Sequence, residues 1–124
     1  MQTSELSGVL LDFWVAKAEG LEPQLMRPIG SGALWWQAST AQGEVSSSDR
    51  AYSTDWAYGG AIIEARKIMV AWNAGHWIAG VAEYVDRDNA RISKGPTPLV
   101  AAMRAFVASR FGEDLPAGTE IQNG

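Results

Sequence analysis

The feature that most constrains the fold is a β-hairpin pattern over residues 67–83. Apolar residues alternate along Ile68 to Trp72, a turn follows at Asn73-Ala74-Gly75, and a second alternating segment runs from His76 to Glu83. Two segments of period two joined by a short glycine-containing turn are typical of an antiparallel hairpin. The sequence therefore predicts that an antiparallel sheet is built around this hairpin.

A helix is predicted directly after it, over residues 97–111. Gly95-Pro96 ends the preceding segment, Thr97 is placed to cap the helix, and Pro98 takes the first helical position, where its missing N–H costs nothing. Gly112 closes the helix. The apolar stripe that would face the core consists of Leu99, Val100, Met103, Phe106, Val107 and Phe111.

A second helix is predicted near the N-terminus, over residues 4–19. Ser4 is a candidate N-cap, and Gly20 is placed as a left-handed stop. The apolar stripe is broad, so we expect the helix to be largely buried; it comprises Leu6, Leu10, Leu11, Phe13, Trp14, Val15 and Ala18.

These elements predict an α+β fold with two helices packed on one face of a small antiparallel sheet. We expect one domain over residues 1–124, with a loose tail after about residue 115. Residues 21–50 are weakly patterned, and Trp35-Trp36 would place one indole in the core and expose the other if this segment is a strand. The small polar segment from Ala41 to Asp49 is predicted to be the most mobile internal segment.

Composition narrows the function classes. The chain has 124 residues, a formal net charge of −4, no cysteine and one histidine, His76, which we expect to be exposed. No metal or other cofactor is therefore predicted. The ten Lys and Arg residues are scattered, which argues against a nucleic-acid surface. With no signal peptide and no long apolar run, the protein is expected to be cytoplasmic and away from membranes.

The central block from Tyr52 to Glu64 is interpreted as a shaped connection that binds something. Its aromatic, hydroxyl and carboxylate groups suggest a contact surface, and Gly59-Gly60 is interpreted as a tight turn with positive φ. Asp55 is either a binding carboxylate or a turn or helix cap. No catalytic or metal-binding residue is predicted, and the candidate binding residues are Tyr52, Asp55, Trp56, Tyr58 and Arg104.

The sequence resembles the NinX-like proteins of phages and prophages in three blocks that occur in the family's order. They are Thr3-Ser4-Glu5-Leu6 with Leu11-Asp12 and Val15-Ala16-Lys17-Ala18-Glu19-Gly20, then Tyr52 to Glu64, and finally Gly95 to Arg104 with Val107-Ala108-Ser109. Tyr58 stands where the family pattern has a Gln before the glycine pair. The resemblance implies a phage or prophage origin, and the family has no established activity.

Three hypotheses follow for function. The first is a non-catalytic accessory protein that binds a host or phage protein. The second is a small-molecule or nucleotide-binding domain, or a cryptic enzyme, that uses the Tyr52 to Gly60 segment. The third is a nucleic-acid-associated protein. A deep apolar pocket would favour the second hypothesis, a flat exposed aromatic patch the first, and a basic stripe the third.

Overall fold

The computed structural model describes residues 1–27, 32–81, 92–116 and 121–123. Within them, a short 3₁₀ turn, Thr3–Glu5, precedes three α-helices, α1 (Gly8–Ala18), α2 (Trp56–Arg66) and α3 (Pro98–Phe111). The strands are β1 (Gln24–Arg27), β2 (Trp35–Thr40), β3 (Gly43–Ser46), β4 (Ile68–Asn73), β5 (His76–Val81), β6 (Ser93–Gly95) and β7 (Ile121–Asn123). The predicted α+β class is confirmed, and the structure adds the helix α2 and a second sheet.

The predicted hairpin is confirmed as β4 and β5. The strands pair antiparallel from Ile68 opposite Val81 to Asn73 opposite His76, and β6 joins on the other side of β5. Ala74 and Gly75 form the turn with φ of 48° and 97°. Positive φ at both central residues gives a two-residue turn whose twist matches that of the strands.

The weakly patterned region contains most of the second sheet, whose strand order is β3-β2-β1-β7. β1, β2 and β3 pair antiparallel in chain order, and β7 pairs parallel to β1. Trp36 is fully buried, as predicted for one of two adjacent residues on a strand, whereas Trp35 is half-buried rather than exposed. β3 occupies part of the Ala41 to Asp49 segment, whose predicted mobility awaits amide hydrogen exchange.

The helix α3 has the predicted boundaries. The Thr97 hydroxyl accepts a hydrogen bond from the Val100 N–H at 3.1 Å, and Pro98 opens the helix. The helix packs on β4, β5 and β6 with one side and contacts α1 and α2 with others. Its buried residues therefore join both sheets and the other helices in one core.

The helix α1 is buried almost all round, as predicted, but begins at Gly8 rather than at residue 4. The predicted cap, Ser4, lies in the 3₁₀ turn instead. Residues 1–4 are hydrogen-bonded to the chain after α3: the Thr3 N–H donates to the Glu113 carbonyl at 2.8 Å, and the Thr3 hydroxyl to the Gly112 carbonyl at 2.7 Å. These hydrogen bonds to residues far away in the sequence hold the first residues away from the axis of α1.

The buried carboxylate of Asp12 joins α1 to the segment that leads into α2. Asp12 is 5% exposed, and its Oδ1 accepts a hydrogen bond from the Ser53 N–H at 2.8 Å. Burial raises the pKa of Asp12, and the hydrogen bonding from Ser53 opposes this shift. The Asp12 carboxylate, inside an apolar helix face, thus accepts the hydrogen bond of a buried backbone N–H in the connection before α2.

The helix α2 approaches that same connection through Gly59. A Cβ atom at this position would lie 2.3 Å from the Tyr52 carbonyl oxygen and 2.6 Å from Cδ2 of Leu99 on α3. The missing side chain of Gly59 therefore lets α2 pack directly against backbone. Among the described residues, no helix is long and apolar enough to cross a bilayer.

Alanine substitutions at the two adjacent glycines of α2 are predicted to change the free energy of unfolding in opposite directions. Gly59→Ala is expected to lower the free energy of unfolding by about 1–3 kcal/mol, because overpacking against Tyr52 and Leu99 outweighs the better helix propensity of alanine. At Gly60 a Cβ would lie 3.4 Å from Cε3 of Trp56, an ordinary contact. Gly60→Ala, the matched control, is therefore expected to raise the free energy of unfolding by up to about 1 kcal/mol. Urea denaturation measures both changes, and equal shifts for both variants would contradict the packing at Gly59.

A second prediction concerns Asp12. Asp12→Ala leaves the buried Ser53 N–H without an acceptor and is expected to cost about 1–3 kcal/mol of stability. Asp12→Asn keeps an acceptor oxygen and is expected to recover most of that loss.

The pH dependence of Asp12 follows from its raised pKa. Between the ordinary pKa of an aspartate and the raised pKa of Asp12, the folded state binds more protons at Asp12 than the unfolded state, so the contribution of Asp12 to stability falls as pH rises. The wild-type free energy of unfolding, minus that of Asp12→Asn, should therefore decrease through this pH window. A difference that rises with pH in the same denaturation series would contradict the assignment.

Candidate functional site

The central block is a capped helix rather than a long connection, which corrects the sequence interpretation. The N–H groups of Thr54 and Asp55 both donate to the Ala51 carbonyl, at 3.0 and 2.8 Å, and form a turn before α2. The Asp55 side chain then caps the helix, because its Oδ1 accepts a hydrogen bond from the Ala57 N–H at 2.9 Å. Of the two roles considered for Asp55, the cap is the one that the geometry displays.

The glycine pair lies inside α2, so its interpretation as a tight turn with positive φ is wrong. Neither Gly59 nor Gly60 has positive φ, and both continue the helical backbone. Their physical role is the close approach described for Gly59. The residue that does adopt the left-handed conformation is Lys67, with φ of 53°, at the C-terminal end of α2.

The two tyrosines of the block form an aromatic contact under the helix. Tyr52 is 3% exposed and meets the half-buried Tyr58 edge to face, with ring centroids 6.2 Å apart. The Arg50 guanidinium lies over the Tyr58 ring at 4.9 Å. Burial raises the pKa of Tyr52, and the positive charge of Arg50 opposes the shift. Tyr52 therefore supports the block from within the core, and Tyr58 lies between the core and the surface.

Trp56 is the surface aromatic residue of the block. Its side chain is 57% exposed at the first position of α2, beside the N-terminal end of α3. It borders a shallow cavity of about 210 Å³, whose lining residues are Ser53, Thr54, Trp56, Thr97, Pro98 and Leu99. The cavity brings together the beginnings of two helices and offers a mainly apolar recess next to an exposed indole.

The solvent-facing side of α2 also carries small side chains. Ala57, Ala61 and Ala65 are all exposed, and their spacing of four residues aligns them in one row. The opposite side of the helix holds the buried Gly59 and Ile62. The solvent-facing side of a surface helix normally carries charged and polar residues. On this side of α2 the exposed Glu64 lies next to a row of three alanines, so most of its side chains are unusually small.

The structure does not bring Arg104 together with Asp55. The Arg104 Nε donates to the Leu6 carbonyl and its Nη1 to the Lys94 carbonyl, both at 2.8 Å. Burial lowers the pKa of Arg104, and the Glu113 carboxylate opposes the shift. Arg104 thus joins α3 to the N-terminal segment and to β6, which is a structural arrangement. Of the five candidates, Asp55 and Trp56 are at the surface together.

His76 is half-buried rather than exposed as predicted. It begins β5, which has β4 on one side and β6 on the other. Its Nε2 is buried and has no hydrogen-bond partner among the residues that the structure describes. The prediction failed because the position next to a turn does not by itself expose a side chain on a central strand.

Two features were missed by the sequence analysis. Asp12 could have been recognised, because a single acid within the broad apolar stripe of α1 needs a buried partner. The exposed row of Ala57, Ala61 and Ala65 had a weaker signal, because its spacing is helical but its residues are compatible with a buried or an exposed face.

The comparison with known protein families identifies the chain's relatives. The family model described as Bacteriophage P22, NinX, matches residues 2–110. No curated protein matches the sequence at a significant level. The matched region includes α1, α2, the hairpin and all of α3 except its last residue, Phe111. The chain therefore belongs to the phage P22 NinX family.

Proposed function

We propose that this phage-derived protein is a non-catalytic accessory module that binds a host or phage protein through the outer face of α2. The observation that carries the proposal is the exposed Trp56 at the first position of a helix that also exposes Ala57, Ala61 and Ala65. A partner with an apolar surface, such as a helix, fits a face on which small side chains permit close approach.

The exposed indole supplies the energetic argument. A tryptophan side chain presents roughly 150–250 Å², so covering the exposed 57% of Trp56 removes on the order of 100 Å² from water. At about 25 cal/mol per Å² this gives about 2–3 kcal/mol, the range of an interface hot spot. The recess beside Pro98 and Leu99 would accept a side chain of the partner.

The size of the cavity favours a protein over a small molecule. Pockets for small ligands are usually about 300–1,000 Å³ and enclose most of the ligand. The recess at Trp56 measures about 210 Å³ and is shallow. It suits one inserted side chain of a larger partner. The net charge of −4 also disfavours a nucleic-acid partner. In addition, the Arg66 guanidinium at the end of α2 already lies 3.7 Å from the Glu19 carboxylate.

The test introduces one charge at the centre of the proposed surface. Ala61→Arg should reduce capture of the specific partner at least about tenfold, because a charged side chain prevents close apolar packing. The helix itself should be little affected, since arginine is nearly as good a helix former as alanine. Ala41→Arg, at an exposed alanine in the turn between β2 and β3, is the matched control and should retain capture.

The measurement is quantitative mass spectrometry of proteins captured from the bacterial host, with and without phage gene expression. A specific partner is one enriched by the wild type and by Ala41→Arg and lost with Ala61→Arg, while all three melting temperatures agree. Equal capture by the Ala61→Arg variant, or loss only in proportion to unfolded protein, would refute the α2 surface.

A further inference from the structure

A second surface lies on the opposite side of the hairpin from β6, at the outer edge of β4. The three-stranded sheet has the order β4-β5-β6, so β4 is an edge strand within the described residues. Its pairing with β5 runs without a bulge over six consecutive residues. Residues 68–75 contain no charged residue and no proline, which are two common features that protect an edge strand from pairing.

The hairpin turn determines which backbone groups of β4 point outward. In a two-residue hairpin the residues that flank the turn, here Asn73 and His76, form a hydrogen-bonded pair. Hydrogen-bonded and non-hydrogen-bonded pairs then alternate along the ladder. Asn73, Ala71 and Met69 therefore direct their N–H and C=O groups toward β5.

The remaining residues of β4 direct theirs away from the sheet. These are Ile68, Val70 and Trp72, and no described residue pairs with their outward groups. Trp72 is also 59% exposed, and its ring meets Trp77 edge to face at 5.4 Å. The edge thus offers three residues with available backbone groups and one large exposed aromatic side chain.

We propose that the β4 edge is a homodimer interface, in which two copies of this chain pair antiparallel and form a continuous six-stranded sheet. A twofold axis at Val70 places Val70 opposite Val70 of the second copy, and Ile68 opposite Trp72 of the second copy. Each of the three residues with outward-directed backbone groups then lies opposite another such residue of the second copy, which allows about six backbone hydrogen bonds between the copies.

The same register is favourable for side chains and charges. It places the exposed Trp72 of each copy opposite the β-branched Ile68 of the other, whose own side chain is 7% exposed, and such aromatic and β-branched pairs stabilise sheets. The nearest basic residues, Arg66 and Lys67, fall opposite Ala74 and Asn73 of the second copy, so like charges do not face each other. This self-complementarity is the reason for assigning the edge to a second copy rather than to another protein.

The first experiment measures association by sedimentation velocity over a wide range of micromolar concentrations. The wild type should show a concentration-dependent dimer, and Trp72→Lys should weaken association at least about tenfold, since edge lysines oppose strand pairing. Trp56→Lys changes a tryptophan of similar exposure away from this edge and should leave association unchanged. This separates the dimer from the proposed α2 surface. A wild type that stays monomeric throughout would overturn the proposal.

The second experiment tests the register without depending on the folding of Trp72→Lys. In the proposed dimer, Met69 lies opposite Ala71 of the second copy as a non-hydrogen-bonded pair, with Cα atoms about 4.5 Å apart, close enough for a disulfide. The chain has no native cysteine. A mixture of Met69→Cys and Ala71→Cys chains should form a disulfide-linked heterodimer much faster than either variant forms a homodimer. No preference for the heterodimer would overturn the proposed register and the interface.

Discussion

The arrangement of the three helices depends on one close backbone contact, that of Gly59 with the connection before α2. Any side chain at this position would occupy the space of the Tyr52 carbonyl and of the Leu99 side chain. The hydrogen bond from the Ser53 N–H to the buried Asp12 carboxylate fixes the other side of the same connection on α1. Together these contacts hold α2 against α3 in one orientation, which determines the residues that α2 presents to solvent.

The surface proposed to bind a partner is a consequence of this packing. Because α2 buries its glycine and isoleucine side, Ala57, Ala61 and Ala65 face outward, and Trp56 is exposed at the start of the same helix. The β4 edge is a separate surface with a different chemistry, since it offers backbone groups rather than an apolar helix face. A dimer through β4 would present two copies of the α2 face, so the two proposals are physically compatible and can fail independently.

The sequence predicted the elements whose information is local. The hairpin follows from period-two alternation and a glycine turn, and α3 follows from Thr97, Pro98 and a regular apolar stripe. The helix α2 was not predicted, because two glycines and two aromatics lower its helix propensity and its outward alanines hide any apolar–polar pattern. Of the candidate binding residues, Asp55 and Trp56 do lie at the surface. The hydrogen bonds of Arg104 to the Leu6 and Lys94 carbonyls could not be predicted, because they depend on tertiary contacts that no sequence spacing indicates.

The most direct test of the α2 surface is oxidative footprinting of the tryptophans in the free protein and in its complex with the captured partner, at concentrations where the chain is monomeric. In the free protein, Trp56 and Trp72 should react and the buried Trp14 and Trp36 should not. On binding, Trp56 should become protected while Trp72 remains as reactive as before. Unchanged reactivity of Trp56 in the complex would contradict the account.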